Sequence, residues 1–208
     1  MRKLAAVFLY EKSGRTAQPW AEAGIECWCV DIAHSIRRDK KIGNINFVWG
    51  DARSWRPPPG LEIVFVASMS PCTDVSGAGA RDFVKKGGIM LRDAIEMFEA
   101  GRQVAAWSGA PYFCENPVGV LSKPDFYFHP SDYAGYADDP ESEAYTKKTC
   151  LWTGNGFVMP AKKPVDPVLG SKMWKLTPSD DRADLRSATP QGFSRAVFEA
   201  NCPFEMRR

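Results

Sequence analysis

The feature that most constrains this chain is a series of short apolar runs separated by helix-length segments. Residues 3–9 (KLAAVFL), 26–32 (ECWCVDI), 45–49 (INFVW), 63–68 (IVFVAS) and 112–115 (YFCE) are too short for buried helices and rich in β-branched, aromatic and thiol side chains. Such runs fit strands buried on both faces. Between them, 16–23 reads as a short helix capped by Thr16 and ended by Gly24. Residues 89–107 carry Ile89, Met90, Ala94, Met97, Phe98, Val104 and Ala105 at helical spacing. Pro57-Pro58-Pro59-Gly60 marks a surface break. Runs at 149–152 and 156–159 predict a hairpin across Gly154 and Asn155. A Pro- and Lys-rich stretch, 161–175, leads to a helix starting at Thr177 with Pro178 in its first position, and another over 191–201. Strand–helix alternation predicts an open, doubly wound α/β sheet with helices on both faces.

At 208 residues and 44% hydrophobic, the chain can fill one sizeable core, so one domain is expected. The net charge is only +2, so any nucleic-acid contact must come from a local basic patch. No apolar run is long enough for a membrane span, and the first apolar stretch turns charged at Glu11-Lys12, which favours a strand over a leader. The six cysteines (27, 29, 72, 114, 150 and 202) lie mostly in strand-like runs and read as buried free thiols of a cytoplasmic protein. No Cys-x-x-Cys pair occurs and His34 and His129 are far apart, so no metal site is expected.

In open α/β sheets, ligands bind outside the carboxyl ends of the strands. Those ends carry Ser13-Gly14, Asp31, Asp51, Ser70-Pro71-Cys72 and Glu115-Asn116. Asp31 can accept from both hydroxyls of a ribose, or merely cap the next helix. Asp51 can accept from an adenine amino group, or serve a turn. Ser13-Gly14 offers close backbone approach, which one turn glycine also provides. Cys72 follows the most apolar strand and sits on a loop with Gly77 and Gly79, as a nucleophile would; a lone cysteine is more often a small core residue. Glu115 enters through Tyr112-Phe113-Cys114, so desolvation should raise its pKa and let it donate a proton. A thiolate and a protonatable carboxyl suit attack on carbon 6 of a cytosine activated at N3.

The order of these residues resembles the DNA cytosine-5 methyltransferases, compact bacteriophage-like members in particular. Residues 8–14, Asp31 and Asp51 resemble the S-adenosylmethionine motifs, Pro71-Cys72 the Pro-Cys motif, and Glu115-Asn116-Pro117 the Glu-Asn motif. Lys175-Leu176-Thr177-Pro178 and the run 188–196 (ATPQGFSRA) resemble the closing motifs. The resemblance implies a Rossmann-like S-adenosylmethionine-dependent methyltransferase sheet. It implies a catalytic core over 1–153, a very reduced target-recognition segment over 154–173, and C-terminal helices over 174–208 that return to the core. Cys72 and Glu115 would be catalytic, with Lys147 at the base's carbonyl. The cofactor would contact Phe8, Ser13, Gly14, Asp31, Ile32, Asp51, Ala52 and Ser70. Double-stranded DNA would meet Arg81, Lys85, Lys86, Lys148 and Lys172, with Lys162, Lys163 and Lys175 as further backbone contacts. The Lys85-Lys86-Gly87-Gly88 run also reads as a solvated turn, and the aromatics at 126–129 and 133–136 as loop packing rather than a stacking platform. The first motif has fewer glycines than the family's, and Tyr145-Thr146-Lys147-Lys148-Thr149 stands where the family has paired arginines. The expected product is 5-methylcytosine in a short or relaxed context such as GpC, made by a monomer that flips its target base and needs neither metal nor membrane. RNA or free pyrimidine nucleotides as substrate, a non-catalytic DNA-binding module, and a carboxylated cofactor met by Lys12 or Arg15 are the competing readings.

Overall fold

The computed structural model describes residues 2–77, 83–171, 177 and 186–203. Eight strands form one sheet: β1 (Lys3–Leu9), β2 (Glu26–Val30), β3 (Lys40–Ile42), β4 (Ile45–Val48), β5 (Leu61–Ser68), β6 (Tyr112–Pro117), β7 (Phe126–Phe128) and β8 (Thr149–Gly154). Their spatial order is β3-β4-β2-β1-β5-β6-β8-β7. The central strands β4, β2, β1, β5 and β6 are parallel, whereas β3 and β8 run antiparallel to their neighbours. The chain builds outward from β1 to β2 and β4, then crosses back to β5 and β6 on the other side. The strand order therefore reverses between β1 and β5, the kind of point at which open α/β sheets bind ligands.

Helices cover both faces, as the alternation predicts. Helix α1 (Gln18–Glu22) and helix α3 (Gln191–Asn201) lie on one side. There Trp20 stacks on Phe65 at 4.4 Å and Phe193 on Phe128 at 4.0 Å. Helix α2 (Phe83–Ser108) covers the other face with Phe98, Val104 and Ala105 against Val7, Val66 and Trp152. It starts six residues before the predicted helix and is broken at Gly87, where φ is 71°.

Three local expectations change. Thr16 does not cap α1: Ala17 takes the N-cap position, and the Thr16 N–H donates to Glu11 Oε2 at 3.2 Å. The predicted hairpin does not form. Strand β8 instead pairs with β6 and β7, and Phe157 beyond the Asn155 turn packs toward Phe65 and Phe113. Strands β3 and β7 were not anticipated, because three-residue strands carry too little pattern. The predicted helix beginning at Thr177 lies outside the described residues.

The segment expected to read DNA is tied to the protein itself. The N–H of Gly135 donates to the Lys163 carbonyl, Val165 to Ser131, Leu169 to Ala144 and Thr146 to Gly170. Lys162 pairs with Asp132 at 3.2 Å, and Lys163 lies 3.8 Å from the Tyr136 ring centroid. These two lysines hold the 130–146 turns rather than standing free for phosphates. The aromatic cluster is mainly packing, as the more conservative reading has it: Phe128 and Tyr133 are fully buried against Phe193, while Tyr127 is exposed. Cys27, Cys29, Cys114, Cys150 and Cys202 are buried, and Cys72 is exposed.

Candidate active site

The loop leaving β1 is organised by a residue that no spacing along the chain singles out. Glu11 is buried and its carboxylate accepts from Ser13 N, Ser13 Oγ, Gly14 N and Thr16 N at 2.7–3.2 Å. One anion thus gathers the loop's amide donors, the task that extra glycines perform in a looser turn. Gly14 has φ +76°, and a Cβ there would fall 2.7 Å from Phe47 Cζ, so the position requires glycine twice over. The Ser13 hydroxyl donates to Glu11 and is not free to reach a ligand.

The other expected cofactor contacts divide into two groups. Asp31 stands at the end of β2, where Oδ1 accepts from Ala33 N at 2.7 Å; no bond to Oδ2 is seen among the described residues. Ile32 beside it is 69% exposed, an apolar plate next to a carboxylate. Together they fit a nucleoside: hydroxyls on the acid, ring on the apolar side chain. Asp51 fits less well, because Arg53 binds it through both carboxylate oxygens at 2.5–3.0 Å and holds its pKa below the usual range. Phe8 and Ala52 are buried in the two cores, so their side chains support the rim rather than face a ligand. Ser70 is also buried, and its carbonyl and hydroxyl accept from Asn116 Nδ2 at 3.1 and 2.9 Å.

That Asn116 bond begins the second half of the site. It ties the exit of β5 to the end of β6, so the loop carrying Cys72 starts beside Glu115. A second strap follows. The N–H of Gly77 donates to the Val118 carbonyl, that of Val120 to the Val75 carbonyl, and Ser76 bridges Gly119. A Cβ on Gly119 would lie 1.8 Å from the Val75 oxygen, so only glycine allows the two segments to meet. Lys147 arrives from the third direction, two residues before β8, whose Thr149 pairs with Pro117.

These constraints place Cys72, Glu115 and Lys147 near enough for their charges to act on one another. Burial pushes the Cys72 thiol up and the Glu115 charge adds to it, while Lys147 and Arg186 pull it down. Glu115 is raised by burial, with Lys147 opposing. No hydrogen bond to the Glu115 carboxyl is seen among the described residues, although the residue is only 8% exposed. A buried carboxyl with a raised pKa, near an exposed thiol, is suited to donate a proton to one heteroatom of a ring while sulfur adds elsewhere on it. Lys147 Nζ donates to the Arg186 carbonyl at 2.9 Å, which fixes its ammonium near the pair. Arg186, which the sequence did not suggest, brings a second cation. Tyr145, pushed up to about 12 by burial and by Glu143, extends the cluster toward Arg15.

The DNA-contact candidates are less gathered. Lys85 is exposed at the start of α2, and Lys86 follows it in the same helix. Lys148 lies over the Tyr127 ring, its Nζ 4.4 Å from the centroid, on the edge strand pair β7–β8. Arg81, Lys172 and Lys175 lie outside the described residues. Among the described residues, no group of three or more His, Cys, Asp or Glu side chains could hold a metal, and no helix is long and apolar enough to cross a membrane. Neither a protein-family model, nor a curated protein, nor a solved structure matches this chain.

Proposed function

We propose that the protein is an S-adenosylmethionine-dependent DNA cytosine-5 methyltransferase with a Rossmann-like methyltransferase sheet. The observation that carries the reading is the meeting of Cys72, Glu115 and Lys147 beside a sheet switch point whose other flank presents Asp31 and Ile32. Asp31 would hold the ribose hydroxyls and Ile32 the purine, with the β1 loop set by Glu11 and Gly14 alongside. When bound, the cofactor supplies an electrophilic methyl group.

The residues of this chain do the rest. Protonated Glu115 holds N3 and the exocyclic amine of a flipped cytosine, and Lys147 orients its carbonyl. The Cys72 thiolate forms a bond from Sγ to carbon 6, and the displaced electron pair makes carbon 5 nucleophilic. Carbon 5 takes the methyl group and loses its proton to a base in solvent. The returning electron pair expels Sγ as thiolate, and Glu115 keeps or regains the N3 proton. Burial raises the Glu115 pKa, the direction a proton donor needs; burial raises the Cys72 thiol as well, and Lys147 with Arg186 opposes that rise.

The bonding of 154–171 to the 130–146 turns favours, as a second reading, a substrate smaller than a duplex. Transfer of labelled methyl groups to duplex DNA, RNA and dCMP separates the two. The proposal expects duplex DNA to be the best acceptor and 5-methylcytosine the product. Labelling of dCMP or RNA alone would replace it with the second reading, and no transfer to any acceptor would overturn both.

A further inference from the structure

Two outward-facing valines follow β6, beside the turn that carries the thiol. Val118 and Val120 are 50% and 49% exposed, whereas Leu121 packs against the core under α2. The backbone of this ridge is fixed along its length. The Val118 carbonyl accepts from Gly77 N, Val120 N donates to the Val75 carbonyl, and Gly119 between them bridges Ser76. Ser122 then accepts from the Trp152 indole N–H through its carbonyl and its hydroxyl, both at 3.1 Å. The segment on the other side of the bridge is the nucleophile's own turn, in which Val75 N and Ser76 N both donate to the Cys72 carbonyl. Two apolar side chains are therefore held outward on a fixed support close to the thiol. Being β-branched, they have little rotamer freedom left to lose when something covers them.

The flanks of the ridge indicate what covers it. Lys148 precedes Thr149 as Val118 follows Pro117, and Thr149 pairs with Pro117, so Lys148 and Val118 lie at the same end of the β6–β8 pair. Lys123 follows the ridge on its other side. Both lysines are exposed, and neither pairs with a carboxylate among the described residues. The nearest acid along the chain, Asp125, accepts from Thr153 N at 2.7 Å and from Thr153 Oγ1 at 3.3 Å. Asp74, on the facing segment, is half-buried. Cations on either side of an apolar centre complement a double helix, whose phosphates run along the outside and whose base faces lie within.

We propose that Val118 and Val120 form the wedge that enters the base stack as the target cytosine leaves it, with Lys123 and Lys148 on the flanking phosphates. This role rests on the methyltransferase reading and concerns the step before chemistry: the valines fill the space that the extruded base vacates and offset the lost stacking. Only a paired cytosine needs such help. The test is methyl transfer to two duplexes of one sequence, the target cytosine facing guanine in one and an abasic site in the other. In Val118→Ser/Val120→Ser, kcat/KM falls about tenfold on the paired duplex and less than about twofold on the unpaired one, whereas Val118→Leu/Val120→Leu behaves as wild type. A misfolded variant would lose both substrates alike. Lys123→Gln/Lys148→Gln binds both duplexes more weakly, and its log–log salt slope falls by about 2, one phosphate contact contributing about 0.9. Equal losses of the serine variant on the two duplexes, no loss on either, or an unchanged slope in the lysine variant overturns the wedge and leaves the methyltransferase reading standing, because wild type still transfers methyl. No transfer by wild type to either duplex overturns that reading, and the wedge with it.

Discussion

At the residue scale, the burial of Glu115 has a cost that pH can reveal. Burial raises its pKa, so the folded protein binds its proton more tightly than the unfolded chain does. The stability that this preference gives is present below the unfolded pKa and is lost as pH rises through the folded one. Glu115→Gln should therefore raise the melting temperature more at pH 8 than at pH 5, measured by thermal unfolding, while abolishing activity. The same charge pushes the Cys72 thiol up. Alkylation of Cys72 followed against pH should show its inflection at lower pH in Glu115→Gln and at higher pH in Lys147→Gln. Unmoved inflections in both variants would separate the three residues. Cys72 and Glu115 were legible because each ends an apolar run. Glu11, Arg186 and Gly119 were not: their roles arise from contacts with segments that no spacing along the chain reveals. Asp51 was legible as a strand-end acid, but its capture by Arg53 is a side-chain choice invisible to pattern.

At the scale of elements, the site is held by straps rather than by helices. Asn116 ties β5 to β6, and the 75–77 and 118–120 segments lie against each other. Asn116→Ala leaves a buried Ser70 without its donor and should cost about 1–3 kcal/mol in denaturant unfolding. Gly119→Ala must push Val75 away, and it should weaken the influence of Glu115 on the Cys72 titration as well as lower stability. Across the molecule, α3 is capped by Glu143, which accepts from Gln191 N and Gly192 N, and pinned by the Asp138–Arg195 ion pair. Its Phe193 packs in the core on Phe128, so Phe193→Ala should cost about 3–5 kcal/mol. The long elements were readable from periodicity. Strands β3 and β7 were not, since each depends on a partner for its extended form, and β8 was assigned the wrong partner because sequence proximity favoured a hairpin.

Taken whole, the molecule divides its rim between two chemistries. One flank of the β1–β5 switch point carries Asp31 and Ile32; the other carries the thiol, the buried carboxyl and two cations. The alternation of strands and helices made this division readable in outline, because a parallel sheet places every strand-end residue on one edge. The path of 154–171 was not readable. A Pro- and Lys-rich stretch looks like an exposed recognition loop until its backbone is seen bonded to the 130–146 turns. The central claim is that Cys72 bonds covalently to a cytosine activated by Glu115. Duplex DNA containing 5-fluorocytosine, incubated with the protein and S-adenosylmethionine and then digested, tests it most directly by mass spectrometry. The account predicts a nucleotide adduct on the Cys72 peptide, absent in Cys72→Ala and strongly reduced in Glu115→Gln. An adduct on another residue, or methylated cytosine made at full rate by Cys72→Ala, would contradict it.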